Sequence, residues 1–170
     1  RPVAARYGRL EPLARAAEVH ARGARPRGGL REGEQRRHRG HGVRSGRGDV
    51  RELAAFYDLV VSGGGGVVRP ATLERYVTAQ TSGLERELKV PLRLGRGFAL
   101  GSLGPHTYGW WNTRPCFGHA GGFGVLGFAD PRTRVAVGIT TNGHRGVGDL
   151  IRRFAPLGSA IRRAVRDLTV

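Results

Sequence analysis

The stretch from Gly121 to Asn142 limits the fold more than any other part of the chain. Phe123, Val125, Leu126 and Phe128 form one apolar run, Val135, Val137 and Ile139 form another, and Asp130-Pro131-Arg132-Thr133 stands between them. Asp at the first and Pro at the second position of a four-residue turn match type I, because the Pro ring presets φ and the Asp carboxylate bonds to backbone two residues on. The segment predicts a β-hairpin. Its first strand is apolar on both faces, so it needs cover on two sides. Helices must supply that cover, which makes the fold class α+β, an antiparallel sheet flanked by helices.

Both helical covers are readable. Leu150, Ile151 and Phe154, then Ile161, Ala164, Val165 and Leu168, fall on helical faces opposite arginine pairs, and Pro156 is expected to kink or divide this C-terminal helix. Upstream, Asp49 and Glu52 have capping-box spacing ahead of Leu53, Phe56, Tyr57 and Val60, which predicts a helix over about Val50 to Val61. Ser62 and Gly63 to Gly66 end it, and Pro70 opens a further helix with Leu73, Tyr76 and Val77 on one face. Leu92, Leu94, Phe98 and Leu100 predict one strand over Pro91 to Leu100. Gly101 to Pro115 reads as a loop whose Tyr108, Trp110 and Trp111 either border a substrate entrance or cover the sheet edge.

Length and composition add limits. At 170 residues there is room for one domain with a real core. No apolar run approaches the roughly 18 residues of a membrane span, and no signal-peptide segment follows Arg1. Cys116 is the single cysteine, so neither an internal disulfide nor a cysteine-based zinc site is expected. His20, His38, His41, His106 and His144 lack metal-ligand spacing and carboxylate company, so no metal or cofactor is expected. Gly63 to Gly66 has no following Lys-Ser/Thr and reads as a linker rather than a phosphate loop. The chain contains no methionine and begins at Arg1, which suggests part of a longer translation product, with any leader upstream. The compartment stays open between a bacterial cytoplasm and export, and the oligomeric state is not specified.

Charge divides the chain near Asp49. Of 29 Lys+Arg against 13 Asp+Glu, residues 1–48 hold 13 Arg and 4 Glu, and every base except Lys89 is arginine. That bias fits a GC-rich coding sequence. Residues 1–48 are expected to be a disordered Arg/Gly-rich segment or an out-of-frame translation, apart from a two-turn helical stripe at Leu10, Leu13, Ala14 and Ala17. The competing reading is a nucleic-acid-binding arm, which the absence of interleaved aromatics disfavours. Residues 49–170 form the expected folded part, with exposed sheet edges and poor solubility if strands are missing.

The pieces of this folded part occur in a familiar order. GHAGGFGVLGFADPRTRVAVGITTNG, preceded by GHGVRSGRGDVRELAAFYDLV, VVRPATLERYVTAQ and LRLGRGFALG, resembles the C-terminal portion of the serine beta-lactamase-like hydrolases. That superfamily includes class C beta-lactamases, penicillin-binding proteins and carboxylesterases. The resemblance implies a beta-lactamase/transpeptidase-like fold that is incomplete here, and acyl hydrolysis through a serine acyl-enzyme. It implies that His119, Ala120 and Gly121 match the family's KTG or HxG edge-strand motif, and that the Gly122 amide matches its strand contribution to the oxyanion hole. Taken alone, His119 could equally be a strand-start histidine satisfied by backbone. Ala120 lacks the Thr hydroxyl of KTG, which shifts the expected small-molecule substrate from beta-lactams toward simple esters, with amides in the same class. The family's SxxK serine and lysine and its Tyr motif are absent, since no serine has Lys three residues later and Tyr108 precedes Gly-Trp-Trp-Asn. The nucleophile is therefore not in this chain, and the chain alone is expected to be inactive. The alternative is a noncatalytic or nucleic-acid-binding module.

Overall fold

The computed structural model describes residues 49–168, apart from 87, 88, 123 and 144. The stripe at Leu10 to Ala17, the Arg/Gly-rich segment, Phe123, His20, His38, His41 and His144 lie outside the described residues. The elements in chain order are α1 (Val50–Val61), α2 (Pro70–Val77), β1 (Thr81–Leu84), β2 (Pro91–Leu94), β3 (Ala99–Leu100), β4 (Phe117–Gly121), β5 (Val125–Asp130), β6 (Val135–Thr140) and α3 (Val147–Asp167). The six strands form one antiparallel sheet in sequence order. Every strand thus neighbours the one before it, the arrangement that short connections favour.

The hairpin forms as its sequence demands. β5 and β6 pair from Val125↔Thr140 to Asp130↔Val135. Asp130 Oδ1 accepts the Arg132 amide at 3.0 Å, and Arg134 takes the left-handed φ of +53° that returns the chain to β6. The two faces of the hairpin bury different sets. Leu126, Phe128, Val135, Val137 and Ile139 meet Leu150, Phe154 and Ile161 of α3. Ala129 and Ala136 turn the other way, toward Tyr57, Val60 and Val61 of α1. Small residues let α1 approach on that side: a side chain at Gly127 would overlap the Tyr57 ring, and one at Gly138 would overlap the Val50 carbonyl.

α1 begins with the capping box read from the sequence. Asp49 Oδ1 accepts from the Arg51 amide at 3.0 Å, and Glu52 Oε2 accepts from the Asp49 amide at 3.1 Å. A cap of this kind contributes about 0.5–2 kcal/mol. The run after Ser62 takes positive φ at each of Gly63 to Gly66, a conformation that glycine adopts without a Cβ penalty. α2 forms where Pro70 predicts it, but none of its residues is fully buried and Tyr76 is exposed, so its apolar face is only half used.

Three features differ from the sequence reading. The single strand expected over Pro91 to Leu100 is two, because the chain reverses at Gly95–Phe98, where the Gly95 amide donates to the Phe98 carbonyl at 2.9 Å. β1, whose four residues are all exposed, has no apolar signal and pairs with β2. Pro156 does not divide α3, which runs as one helix of 21 residues. Pro156 is exposed, so the Arg152 carbonyl that its ring leaves without an intrahelical donor lies on the side away from the core.

Candidate functional site

Among the described residues, the early end of β3 leaves half of β4 with an open edge. β3 pairs only as Ala99↔Gly118 and Leu100↔Phe117, since the Gly95–Phe98 reversal takes the chain back to β2. From His119 onward, β4 has a strand neighbour among the described residues on the β5 side alone, with His119↔Gly127 and Gly121↔Val125 in register. The direction of the backbone groups follows from alternation along the strand. Gly101 N–H donates to the Cys116 carbonyl at 2.9 Å, so the polar groups of Cys116, Gly118 and Ala120 face the β3 side and those of Phe117, His119 and Gly121 face β5. The Ala120 amide therefore faces the open edge. Carried one residue further, the same alternation turns the Gly122 amide that way too.

The side chains separate by face. His119 shares the α1 face with Phe117, and its own imidazole is exposed. Ala120 turns to the opposite face and packs against the α3-side core. Gly121 spends its amide on the ladder to β5, so only its lack of a side chain remains available to a ligand. A Cβ at Gly121 or Gly122 would meet nothing closer than 3.6 Å among the described residues.

Two residues that support this edge carry no recognisable motif. Tyr57 lies beneath it, with its ring against Gly127 and its hydroxyl at the His119 backbone. Burial pushes the Tyr57 phenol up to about 12, opposed by that backbone hydrogen bond, so it stays protonated at neutral pH. Thr141 closes the other side. Its amide and its hydroxyl both donate to the Gly124 carbonyl, at 2.8 and 2.9 Å. Only the helical spacing of Tyr57 and the strand-end position of Thr141 are visible in sequence, and neither distinguishes a site residue from packing.

The aromatic loop serves a different end of the sheet. It enters β4 at Cys116, whereas His119 to Gly122 lie toward the strand's far end, about 10–20 Å along it. Tyr108 is buried, stacks on Phe128 at 5.1 Å between ring centroids, and donates its hydroxyl to Ala99 O at 3.0 Å. The Trp110 amide donates to Ser159 Oγ at 2.9 Å. Tyr108 thus covers the sheet, while the Trp110 and Trp111 side chains are exposed. Burial depresses the His106 imidazole beside Tyr108 to about 4 and pushes the Cys116 thiol well up, so both are neutral in the fold. Among the described residues, no three His, Cys, Asp or Glu side chains group as metal ligands, and no helix is long and apolar enough to cross a membrane.

An antiparallel sheet between two helical layers, with an open edge at GHAGG, defines a beta-lactamase/transpeptidase-like fold. The Beta-lactamase family model matches residues 4–158, and the chain belongs to that family. Among solved structures, it is similar to a beta-lactamase from Mycobacterium bovis, at 24% identity and a TM-score of 0.56 over 68% of this chain and 43% of that one. It is also similar to EstA from Arthrobacter nitroguajacolicus Rue61a, at 26% identity and a TM-score of 0.52 over 71% of this chain and 32% of that one. The chain therefore spans less than half the length of these solved relatives. No curated protein gave a significant match.

Proposed function

We propose that this chain forms the edge-strand wall of a serine acyl-hydrolase site whose nucleophile lies outside it. The observation that carries the reading is the open β4 edge, where the backbone of Ala120 and Gly122 faces outward beside the exposed His119. In this reading the Gly122 amide is an oxyanion donor, fixed before charge develops on the carbonyl oxygen of the tetrahedral intermediate. His119 donates a hydrogen bond or positive charge to the substrate, and Gly121 leaves room for the acyl group to lie against the strand. The substrate class is a small ester or amide, and the missing hydroxyl at Ala120 favours the ester. Residues 49–170 carry this wall. No SxxK occurs in the chain, so the isolated chain does not form an acyl-enzyme.

The reading is tested on the full chain by two measurements. A serine-directed fluorophosphonate leaves its mass unchanged, and a covalent adduct overturns the absent nucleophile. In an NMR titration with n-butylphosphonate, a free mimic of the tetrahedral oxyanion, the Ala120 and Gly122 amide signals shift while that of Gly121, bonded into the ladder, stays still. Shifts confined to other regions, or none, overturn the assignment of the edge.

A further inference from the structure

We propose that Thr141 is a positioning residue for the Gly122 amide, an inference that deepens the acyl-hydrolase reading and rests on it for its functional meaning. Among the described residues, one backbone bond closes the connection that carries Gly122, from the Gly124 amide to the Gly121 carbonyl at 3.2 Å. The Gly121 carbonyl and the Gly122 amide belong to one planar peptide unit, so the direction of the Gly122 amide depends on how firmly Gly124 is held. The second restraint comes from outside the turn. Thr141 donates both its amide and its hydroxyl to the Gly124 carbonyl, so one oxygen holds two donors from the end of the neighbouring hairpin strand. A side chain at Gly124 would overlap Thr141 Oγ1, which shows how closely the two residues sit.

Thr141 is itself braced. The Gly143 amide donates to the Thr141 carbonyl at 2.8 Å, and Arg153 Nη1 of α3 donates to the Gly143 carbonyl at 3.2 Å. Arg153 Nε in turn pairs with Asp149 at 2.9 Å, one turn earlier in the helix. A continuous set of hydrogen bonds therefore runs from the start of α3 through Gly143 and Thr141 to Gly124, two residues from the proposed donor. Such a chain fixes an amide before a ligand arrives, which is what an oxyanion donor requires.

Thr141→Val removes the hydroxyl and keeps both the shape and the backbone donor, while Thr141→Ser keeps the hydroxyl. By 15N relaxation on the full chain, the order parameters of Gly122 and Gly124 fall in Thr141→Val from about 0.85 to below about 0.6 and return in Thr141→Ser, with the thermal midpoint moving only a few degrees. Thr141→Ala gives the same loss if the valine variant does not fold. Unchanged order at Gly122 in the hydroxyl-free variant, or no recovery with serine, overturns the inference. With n-butylphosphonate, the Gly122 shift in Thr141→Val falls at least threefold relative to the unaltered chain while the Ala120 shift persists. An unaltered chain that shows no response at either amide removes the acyl-hydrolase reading, while the relaxation result still decides the role of Thr141.

Discussion

Arg162 of α3 closes on Asp130 at the end of β5, Nε to Oδ2 at 2.6 Å, with the arginine side chain 15% and the aspartate 1% exposed. The same guanidinium donates to the carbonyls of Trp111 and Asn112, at 3.3 and 3.0 Å. One side chain therefore ties the helix, the hairpin turn and the aromatic loop together. Removing it leaves a buried carboxylate with only neutral partners among the described residues, the Arg132 amide and the Cys116 thiol. Arg162→Met is expected to destabilise the fold by about 3–5 kcal/mol, read as a lower urea midpoint. A change within about 0.5 kcal/mol would show that the pair is not buried in solution.

The contact of Tyr57 with Gly127 predicts coupling. Gly127→Ala places a methyl group in the volume of the Tyr57 ring and is expected to cost about 1–3 kcal/mol by overpacking. Tyr57→Leu relieves that overlap, so the double variant should be less destabilised than the sum of the two single ones by at least about 0.5 kcal/mol. Denaturation midpoints of the four proteins complete the cycle, and simple additivity would contradict the packing described.

Pro156 offers a stabilising change. It occupies the tenth position of α3 and is exposed, so Pro156→Ala restores a backbone donor to the Arg152 carbonyl without disturbing the core. A proline in a helix interior costs about 3 kcal/mol relative to alanine, and a gain of about 1–3 kcal/mol is expected once relaxation of the existing helix is allowed for. A lower thermal midpoint for the variant would mean that the proline ring packs in a way its exposure does not suggest.

The same residue marks where sequence reasoning stopped. Pro156 signals a break because local propensity opposes it, but Phe154, Ala155 and Ile161 are buried on the side facing the sheet and hold the helix through it. The hairpin was legible because its apolar runs and Asp-Pro turn agree with each other. β1 was not, since Thr81, Ser82 and Gly83 are exposed and receive their pairing from β2. Likewise Gly95-Arg96-Gly97 lies inside an alternating apolar run, and nothing local distinguishes a glycine in a strand from one in a reversal. That reversal is what opens the β4 edge. GHAGG could be placed by its resemblance to a family motif, whereas the direction of its amides and the supports at Tyr57 and Thr141 depend on register.

His106 makes stability depend on pH in a defined direction. Its imidazole is depressed to about 4 by burial, with its ring 4.1 Å from that of Tyr108 and Nδ1 3.3 Å from Thr107 Oγ1. In the unfolded chain a histidine titrates near 6.5. Between those values the unfolded state binds a proton that the folded state refuses, so the contribution is complete above about pH 6.5 and is lost as pH falls toward 4. The full span is on the order of 3 kcal/mol. His106→Asn should flatten this part of the profile while leaving the carboxylate-driven loss at lower pH, and urea midpoints measured at half-unit steps from pH 7.5 to 4 resolve the two. If the asparagine variant loses stability over the same interval and by the same amount, His106 is protonated in the folded chain and the Tyr108 loop does not exclude water from it.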